Sequence, residues 1–349
     1  MYTINLFTIL VLPISLFFIC ILLFKISEGF FKKSFLVDSP TQRSNHDIPT
    51  PKGAGLIVIP LVIFSTVSIF FFTEQLNKEW IIFFISVAIL TCISLLDDIY
   101  NLSFFSRLSI QFVCVLISTF AIIDQQDFYQ MIMGISKNYS INFNMIYHSV
   151  IILLVLFWVW IINLYNFMDG MDGITATQVC SFALGVNLLT ILGYLGLDFQ
   201  LLSIIIFSVF LGFYKLNKPP AKIFLGDTGS VPIGYIVGLI LIKSFIFYNI
   251  LIPLIILTMY HLLDATITIF IRLSRGENIF QAHSSHFYQK PLKSGFSHSY
   301  VLKWIQILNL FLLIISLFAT SYPITCLLIA LISCISLLKF FSLKGAYNE

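Results

Sequence analysis

Four polar clusters interrupt an otherwise apolar chain, and each carries groups able to handle a phosphate or a divalent cation. They read Asp97-Asp98, Asn163-x-x-Asn166-x-x-Asp169-Gly170-x-Asp172-Gly173, Gly226-Asp227-Thr228-Gly229-Ser230 and His283-x-x-His286. Adjacent carboxylates repel one another unless a cation or a shared proton offsets them. Asp97-Asp98 therefore reads as a magnesium-linked pair, one member of which could act on a phosphate nucleophile. Asp227 is the expected oxygen ligand, because Mg²⁺ takes one or two carboxylates and completes its shell with substrate phosphates. The helix that opens at Gly226-Asp227 would offer free amides to a phosphate. His283-Ser-Ser-His286 lacks the glutamate of H-E-x-x-H, which argues against a zinc protease. Beside arginine and carboxylates, these histidines suit a pyrophosphate better.

The second cluster has a geometric requirement. Asn163, Asn166, Asp169 and Asp172 recur every third residue, and three residues turn an ideal helix by about 300°. Their side chains would drift around the helix and converge only if it unwinds, for which Gly170 and Gly173 are suited. The loop from Arg272 to Tyr300 adds Arg272, Arg275, Lys290, Lys293 and His298. Of its histidines, His283 outranks His298, since only the former belongs to the paired motif. Asp264 falls about seven residues inside an apolar run with His261 one turn earlier, where an ionisable group faces a cavity or a partner. A substrate-site role and a buried Asp264–His261 pair are the two readings of that placement. The segment from Asp38 to Gly55, punctuated by proline and glycine, offers Arg43, His46 and Lys52 to phosphate.

The elements that position these groups must be membrane helices. Of 349 residues, 59% are hydrophobic and 10% charged, and the mean hydropathy is +0.99. A soluble domain carries roughly 25% charged residues. Eleven apolar runs, approximately 4–24, 54–73, 80–96, 107–123, 147–165, 174–194, 200–214, 229–245, 249–271, 300–318 and 322–338, match the ~20 residues needed to cross a ~30 Å hydrocarbon core. With the N-terminus outside, the inner segments hold 16 of the 19 lysines and arginines, and the outer side keeps Lys78, Lys137 and Lys243. That split obeys the positive-inside rule and brings every cluster to the inner face. The expected fold is all-α, a polytopic membrane protein of 10–11 spans forming one catalytic domain over residues 1–349. The basic residues after the first run favour a retained anchor over a cleaved signal. The six cysteines, all in or at the ends of apolar runs without a C-x-x-C pair, read as packing residues. The net charge of +3 reflects topology and anionic substrates rather than nucleic acid.

In this order and spacing, from Asp38 to about Gln289, the motifs resemble the polyprenyl-phosphate N-acetylhexosamine-1-phosphate transferases, glycosyltransferase family 4. Ala282-His283-Ser-Ser-His286-Phe-Tyr288-Gln289 is most similar to the WbpL-type branch that initiates O-antigen, and the translocase's run of adjacent histidines is absent. The resemblance implies that undecaprenyl phosphate attacks the sugar-side phosphorus of a UDP-N-acetylhexosamine, releasing UMP at the cytoplasmic face of a bacterial inner membrane. By matching positions, Asp97 would orient or deprotonate the lipid phosphate, Asp98 would support metal and nucleotide, and Asp227 would bind Mg²⁺, with Mn²⁺ an alternative. Asn163, Asn166, Asp169 and Asp172 would shape the nucleotide site, with Asp264 counted beside them. His283, His286, Arg272 and Arg43 would neutralise the pyrophosphate. The implied partners are the lipid acceptor, the UDP-sugar and the bilayer; a homodimer is left open.

Two other classes compete. A proton-coupled carrier or lipid flippase calls for ionisable groups near mid-membrane and internal symmetry. Here only Asp264 and His261 lie deep, and no repeat is present. A CDP-alcohol phosphatidyltransferase needs an Asp-Gly-x-x-Ala-Arg pattern, and Ile174-Thr175-Ala176-Thr177 supplies no arginine.

Overall fold

The computed structural model describes residues 10–33, 37–38, 49–123, 143–281 and 283–345. Within them, 11 helices are long and apolar enough to cross a membrane, and each falls on one of the expected runs. They are α1 (Leu12–Lys33), α2 (Gly55–Phe72), α3 (Lys78–Tyr100), α4 (Phe104–Ile122), α5 (Phe143–Phe167), α6 (Ile174–Ile191), α7 (Leu197–Asn217), α8 (Asp227–Lys243), α9 (Leu251–Ser274), α11 (His298–Phe318) and α12 (Pro323–Gly345). A short helix, α10 (Gln289–Lys293), and two strands, β1 (Val37–Asp38) and β2 (Thr50–Pro51), lie between them. The described first span, Leu12–Lys33, extends past the end of its apolar run. The seventh, whose run is short, extends over 21 residues because Asp198 and Lys215 lie within its end turns. The chain is a multi-pass membrane protein of all-α class.

Polar residues punctuate the helices at their ends. Asn77, Ser103 and Ser297 each accept a backbone N–H of the helix they open, α3, α4 and α11, satisfying one of the orphan donors of a first turn. Asn101 closes α3 in the left-handed conformation, φ 51°, which asparagine tolerates better than most residues. It thereby leaves Asp97 and Asp98 in the last turn of α3.

Helix α8 is the hub. Over its most apolar stretch 83% of residues are buried, against 22% for α1, and it packs on α2, α3, α5 and α9. Lipid tails are as apolar as leucine, so helices associate through close packing and hydrogen bonds rather than through burial from water. Tyr235 of α8 is sandwiched between Phe83 of α3 and Trp158 of α5, with ring centroids 5.3 and 4.8 Å away. The Trp158 indole N–H donates to the Tyr235 carbonyl at 2.8 Å, and Ser118 of α4 meets the Tyr235 hydroxyl. Flanking layers form as α7 packs on α1, α2 and α6, and as α9 packs on α5, α6, α11 and α12.

At one end of the bundle β1 pairs antiparallel with β2, and the chain continues beside the segment leading into α8. There Ala54 and Gly55 donate to the carbonyls of Phe224 and Leu225 at 3.0 and 3.1 Å, and Phe224 donates to Pro51 at 2.8 Å. The first turns of α2 and α8 then meet so closely that a Cβ on Gly55 would lie 2.3 Å from the Gly229 nitrogen. This end, where α1, α3, α5, α7 and α9 finish, is the one at which most basic residues gather. At the opposite end Lys243 is buried against Glu79 and Asp198, at 3.2 and 3.8 Å, closing α3, α7 and α8 together.

Candidate active site

The carboxylates of all three acidic motifs converge at the basic end, around two adjoining cavities. A narrow one of about 30 Å³ lies among α3, α4, α5 and α8 and is lined by Asp97, Arg107, Gln111, Asn163, Asn166 and Asp227, with Leu90, Phe104 and Phe167 as apolar wall. A wider one of about 300 Å³ is lined by Asp38, Lys52, Asp98, Asn166, Asp169, Asp172 and Asp227, and by Asn217, Phe224, Gln289 and His298. Asn166 and Asp227 belong to both. The wide cavity is at the small end of the ~300–1,000 Å³ typical of ligand sites.

The helix break anticipated from the Asn/Asp spacing is present. Helix α5 ends at Phe167 and α6 begins at Ile174, with Gly173 at φ +76°, a conformation glycine adopts without penalty. Gly170 is required for a different reason. A Cβ there would lie 2.3 Å from the Tyr288 hydroxyl and 3.3 Å from Nε2 of Gln289. The break sends Asn163 into the narrow cavity and Asp169 and Asp172 into the wide one, with Asn166 between them. Asn163 donates to Gln111 Oε1 at 2.8 Å, and Asn166 donates to Ser230 at 3.0 Å.

The acids differ in how they are engaged. Asp97 is buried; its Oδ2 accepts from Arg107 at 2.7 Å, and its Oδ1 from the Leu102 N–H at 2.8 Å. Asp98 accepts from both the N–H and the hydroxyl of Thr228, at 3.2 and 2.6 Å, and its other oxygen is 3.2 Å from the Lys52 ammonium. The α8 N-terminal amide expected to hold phosphate therefore already holds a carboxylate. Asp227 is the more open acid, with 33% of its side chain accessible and one oxygen 3.3 Å from Arg107. Asp169 is pushed up to about 8, first by its withdrawal from water and then by the charges of Asp227 and Asp98. Asp172 is committed to structure: it accepts the Ala221 N–H at 3.0 Å and lies 3.2 Å from His298 Nδ1.

The histidine loop reaches the site indirectly. Among the described residues His283, His286 and Arg272 line neither cavity. Arg272 is buried and uses its guanidinium on Glu277 (2.9 Å) and on the carbonyls of Asn278 (2.7 Å) and Gln281 (3.4 Å), which shapes the loop. Asp264 does not pair with His261. Its Oδ1 accepts the Phe287 N–H at 3.0 Å and stands 3.1 Å from His286 Nδ1; its Oδ2 accepts the Tyr288 N–H at 3.2 Å. It anchors the 286–289 turn, whose Gln289 lines the wide cavity, and takes no part in the lining itself. His261 is buried beside Tyr165 and Tyr260, and among the described residues neither ring nitrogen has a hydrogen-bond partner. Burial, then the nearby His286 and Arg272, lower His283 to about 4. It is neutral at pH 7 in this state, so it offers a ring nitrogen rather than a charge. Arg43 and His46 lie outside the described residues.

Several residues that line the cavities were given no role by the motifs. Arg107 bridges Asp97 to Asp227, and Asn217, Gln289 and His298 face the wide cavity. Arg107 could be anticipated only as an inner-face cation four residues into α4. His298, ranked below His283 on spacing, is the histidine that lines the cavity. No three His, Cys, Asp or Glu side chains among the described residues are placed to hold a metal by themselves. Asp227 and Asp98 fit a Mg²⁺ that arrives with phosphate, since that ion needs only one or two protein carboxylates.

Comparison with known proteins accords with this arrangement. The profile of Glycosyl transferase family 4 matches residues 80–245, from the first turn of α3 to just beyond α8, the stretch that supplies most of both cavities. Over that stretch, a little under half of its length, the chain is similar to glycosyl transferase family 4. It is 29% identical over 269 residues, 75% of this chain and 71% of the relative, to a Bacillus subtilis protein named "Probable undecaprenyl-phosphate N-acetylglucosaminyl 1-phosphate transferase". A phospho-N-acetylmuramoyl-pentapeptide-transferase of Nautilia profundicola is 31% identical over 223 residues, 56% of this chain and 60% of that protein. A protein of the same name from Clostridium beijerinckii is 35% identical over 111 residues, about a third of either chain.

Proposed function

We propose that this protein is a member of glycosyl transferase family 4 that transfers an N-acetylhexosamine 1-phosphate from a UDP-sugar to undecaprenyl phosphate, releasing UMP and forming the first lipid-linked intermediate of O-antigen or a related surface glycan. The observation that carries the reading is the pair of adjoining cavities sharing Asn166 and Asp227. A narrow, partly apolar chamber with Arg107 suits the phosphate of a lipid, and a wide polar chamber suits a nucleotide sugar. The reactants would meet at the shared wall. The names of the relatives support the same reaction class.

Phosphoryl transfer needs positioning and charge neutralisation more than covalent chemistry by the protein. Asp227, the more open acid, would ligate Mg²⁺, and that ion would neutralise the pyrophosphate. Mn²⁺ would satisfy the same oxygen ligands. Lys52 and Asp98 would hold the nucleotide side, and Arg107 would receive the acceptor phosphate while offsetting the charges of Asp97 and Asp227. That phosphate is largely ionised at pH 7, its second pKa being about 6, so Asp97 acts by orienting it, with proton removal secondary. Opening at the basic end supports a reaction at the cytoplasmic face of the inner membrane, by the positive-inside rule. A carrier mechanism loses its motive here, since Asp264 is satisfied by backbone N–H groups and His286.

The test is UMP release by purified protein given undecaprenyl phosphate, Mg²⁺ and a panel of UDP-N-acetylhexosamines, UDP-N-acetylglucosamine first. Lipid-dependent, EDTA-sensitive release is expected. Movement of a lipid-linked substrate without UMP from any sugar would overturn the reading in favour of a carrier.

A further inference from the structure

A cleft of about 620 Å³ lies at the basic end, apart from both substrate cavities. One face of α1 forms a wall with Ile21, Phe24, Lys25 and Phe31, and Lys222 and Ile223 stand opposite. Thr50, Pro51 and Ala221 also line it. The neighbours of these residues, Lys52 and Phe224, line the wide substrate cavity and are joined by a β-bridge. Two strand-like segments thus separate the cleft from the candidate active site.

Among the described residues, Lys25 and Lys222 form no ion pair or side-chain hydrogen bond. Lys25 follows the apolar run 4–24 and lies on α1 at the basic end. A basic side chain at the membrane interface, beside an apolar wall, attracts an anionic headgroup. The cleft's carboxylate, Glu28, is itself engaged. We propose that the cleft binds an anionic phospholipid of the surrounding leaflet, its phosphate between Lys25 and Lys222 and its acyl chains along Phe24 and Phe31. Basic charge over apolar wall, at the lipid-facing helix α1, is complementary to such a lipid and not to a zwitterionic one.

The probe is phosphatidylglycerol against phosphatidylcholine, titrated into the detergent-purified full chain and followed by native mass spectrometry. Each lysine near an anionic headgroup contributes about fivefold, so Lys25→Gln with Lys222→Gln should weaken phosphatidylglycerol retention roughly thirtyfold. Phosphatidylcholine binding and the melting temperature in lipid-free detergent should stay unchanged. Ile21→Trp, which keeps both lysines and narrows the cleft along its apolar wall, should weaken retention as well. Equal retention of the two lipids by the unmodified chain would refute the proposal, as would undiminished phosphatidylglycerol binding by the double variant. Loss of binding in Arg107→Ala alone would place the lipid in the narrow cavity and equally overturn it.

Discussion

Asp264→Asn tests whether a buried carboxylate outside both cavities governs the site through the 286–289 turn. The substitution preserves shape but converts one oxygen into an N–H₂ donor. In the native arrangement Oδ1 serves the Phe287 N–H at 3.0 Å and His286 at 3.1 Å, while Oδ2 serves the Tyr288 N–H at 3.2 Å. An amide can turn its oxygen to only one of these sides, so a donor must face a donor on the other. Hydrogen bonds to a charged group are worth about 1.5–3 kcal/mol, and an unsatisfied buried group costs about 1–3 kcal/mol. The turn is then destabilised by roughly 3–5 kcal/mol, part of which relaxation of the loop recovers. Because the turn carries Gln289 into the wide cavity and seats Tyr288 on Gly170, kcat/KM for UMP release should fall about 100-fold. Hydrogen exchange over residues 286–289 should accelerate in parallel. Unchanged kcat/KM would refute the reasoning. Lost activity with unchanged protection of the turn would also refute it, by putting Asp264 in contact with substrate.

Asp227→Asn should leave the protein inserted and folded but reduce UMP release by more than 100-fold, and wild-type turnover at saturating Mg²⁺ would remove Asp227 from the metal site. His298→Ala should cost at least as much activity as His283→Ala, because His298 faces the wide cavity and braces Asp172; a selective loss in His283→Ala would restore the ranking read from spacing. Asp169 predicts a pH dependence without divalent cation. With its pKa raised to about 8, the folded protein holds a proton that the unfolded chain releases above roughly pH 4. The unfolded state thus binds fewer protons between these values, and stability falls as pH rises through that window. The melting temperature should therefore drop less from pH 5 to 8 in Asp169→Asn than in wild type. Parallel curves for the two proteins would refute the assignment.

The spans and the basic end were legible in the chain because the bilayer imposes a length and a polarity on each segment, and both are local properties. The need for a break between Asn163 and Asp172 was legible for a similar reason, since a three-residue spacing conflicts with a 3.6-residue turn. Roles that depend on which helix faces which were not. Asp97 and Asp98 are adjacent in sequence, yet one turns to Arg107 and the narrow cavity while the other caps α8 and meets Lys52. Arg272 has the composition of a phosphate ligand but spends its donors on its own loop. Asp264 has a histidine one turn away and pairs instead with one 22 residues on. In each case the partner is set by the packing of α8 against α3 and α5, and of the histidine loop against Gly170. Burial makes an unpaired charge or donor costly, so the side chains settle on whatever complementary group the fold brings near, and sequence spacing does not encode that neighbour.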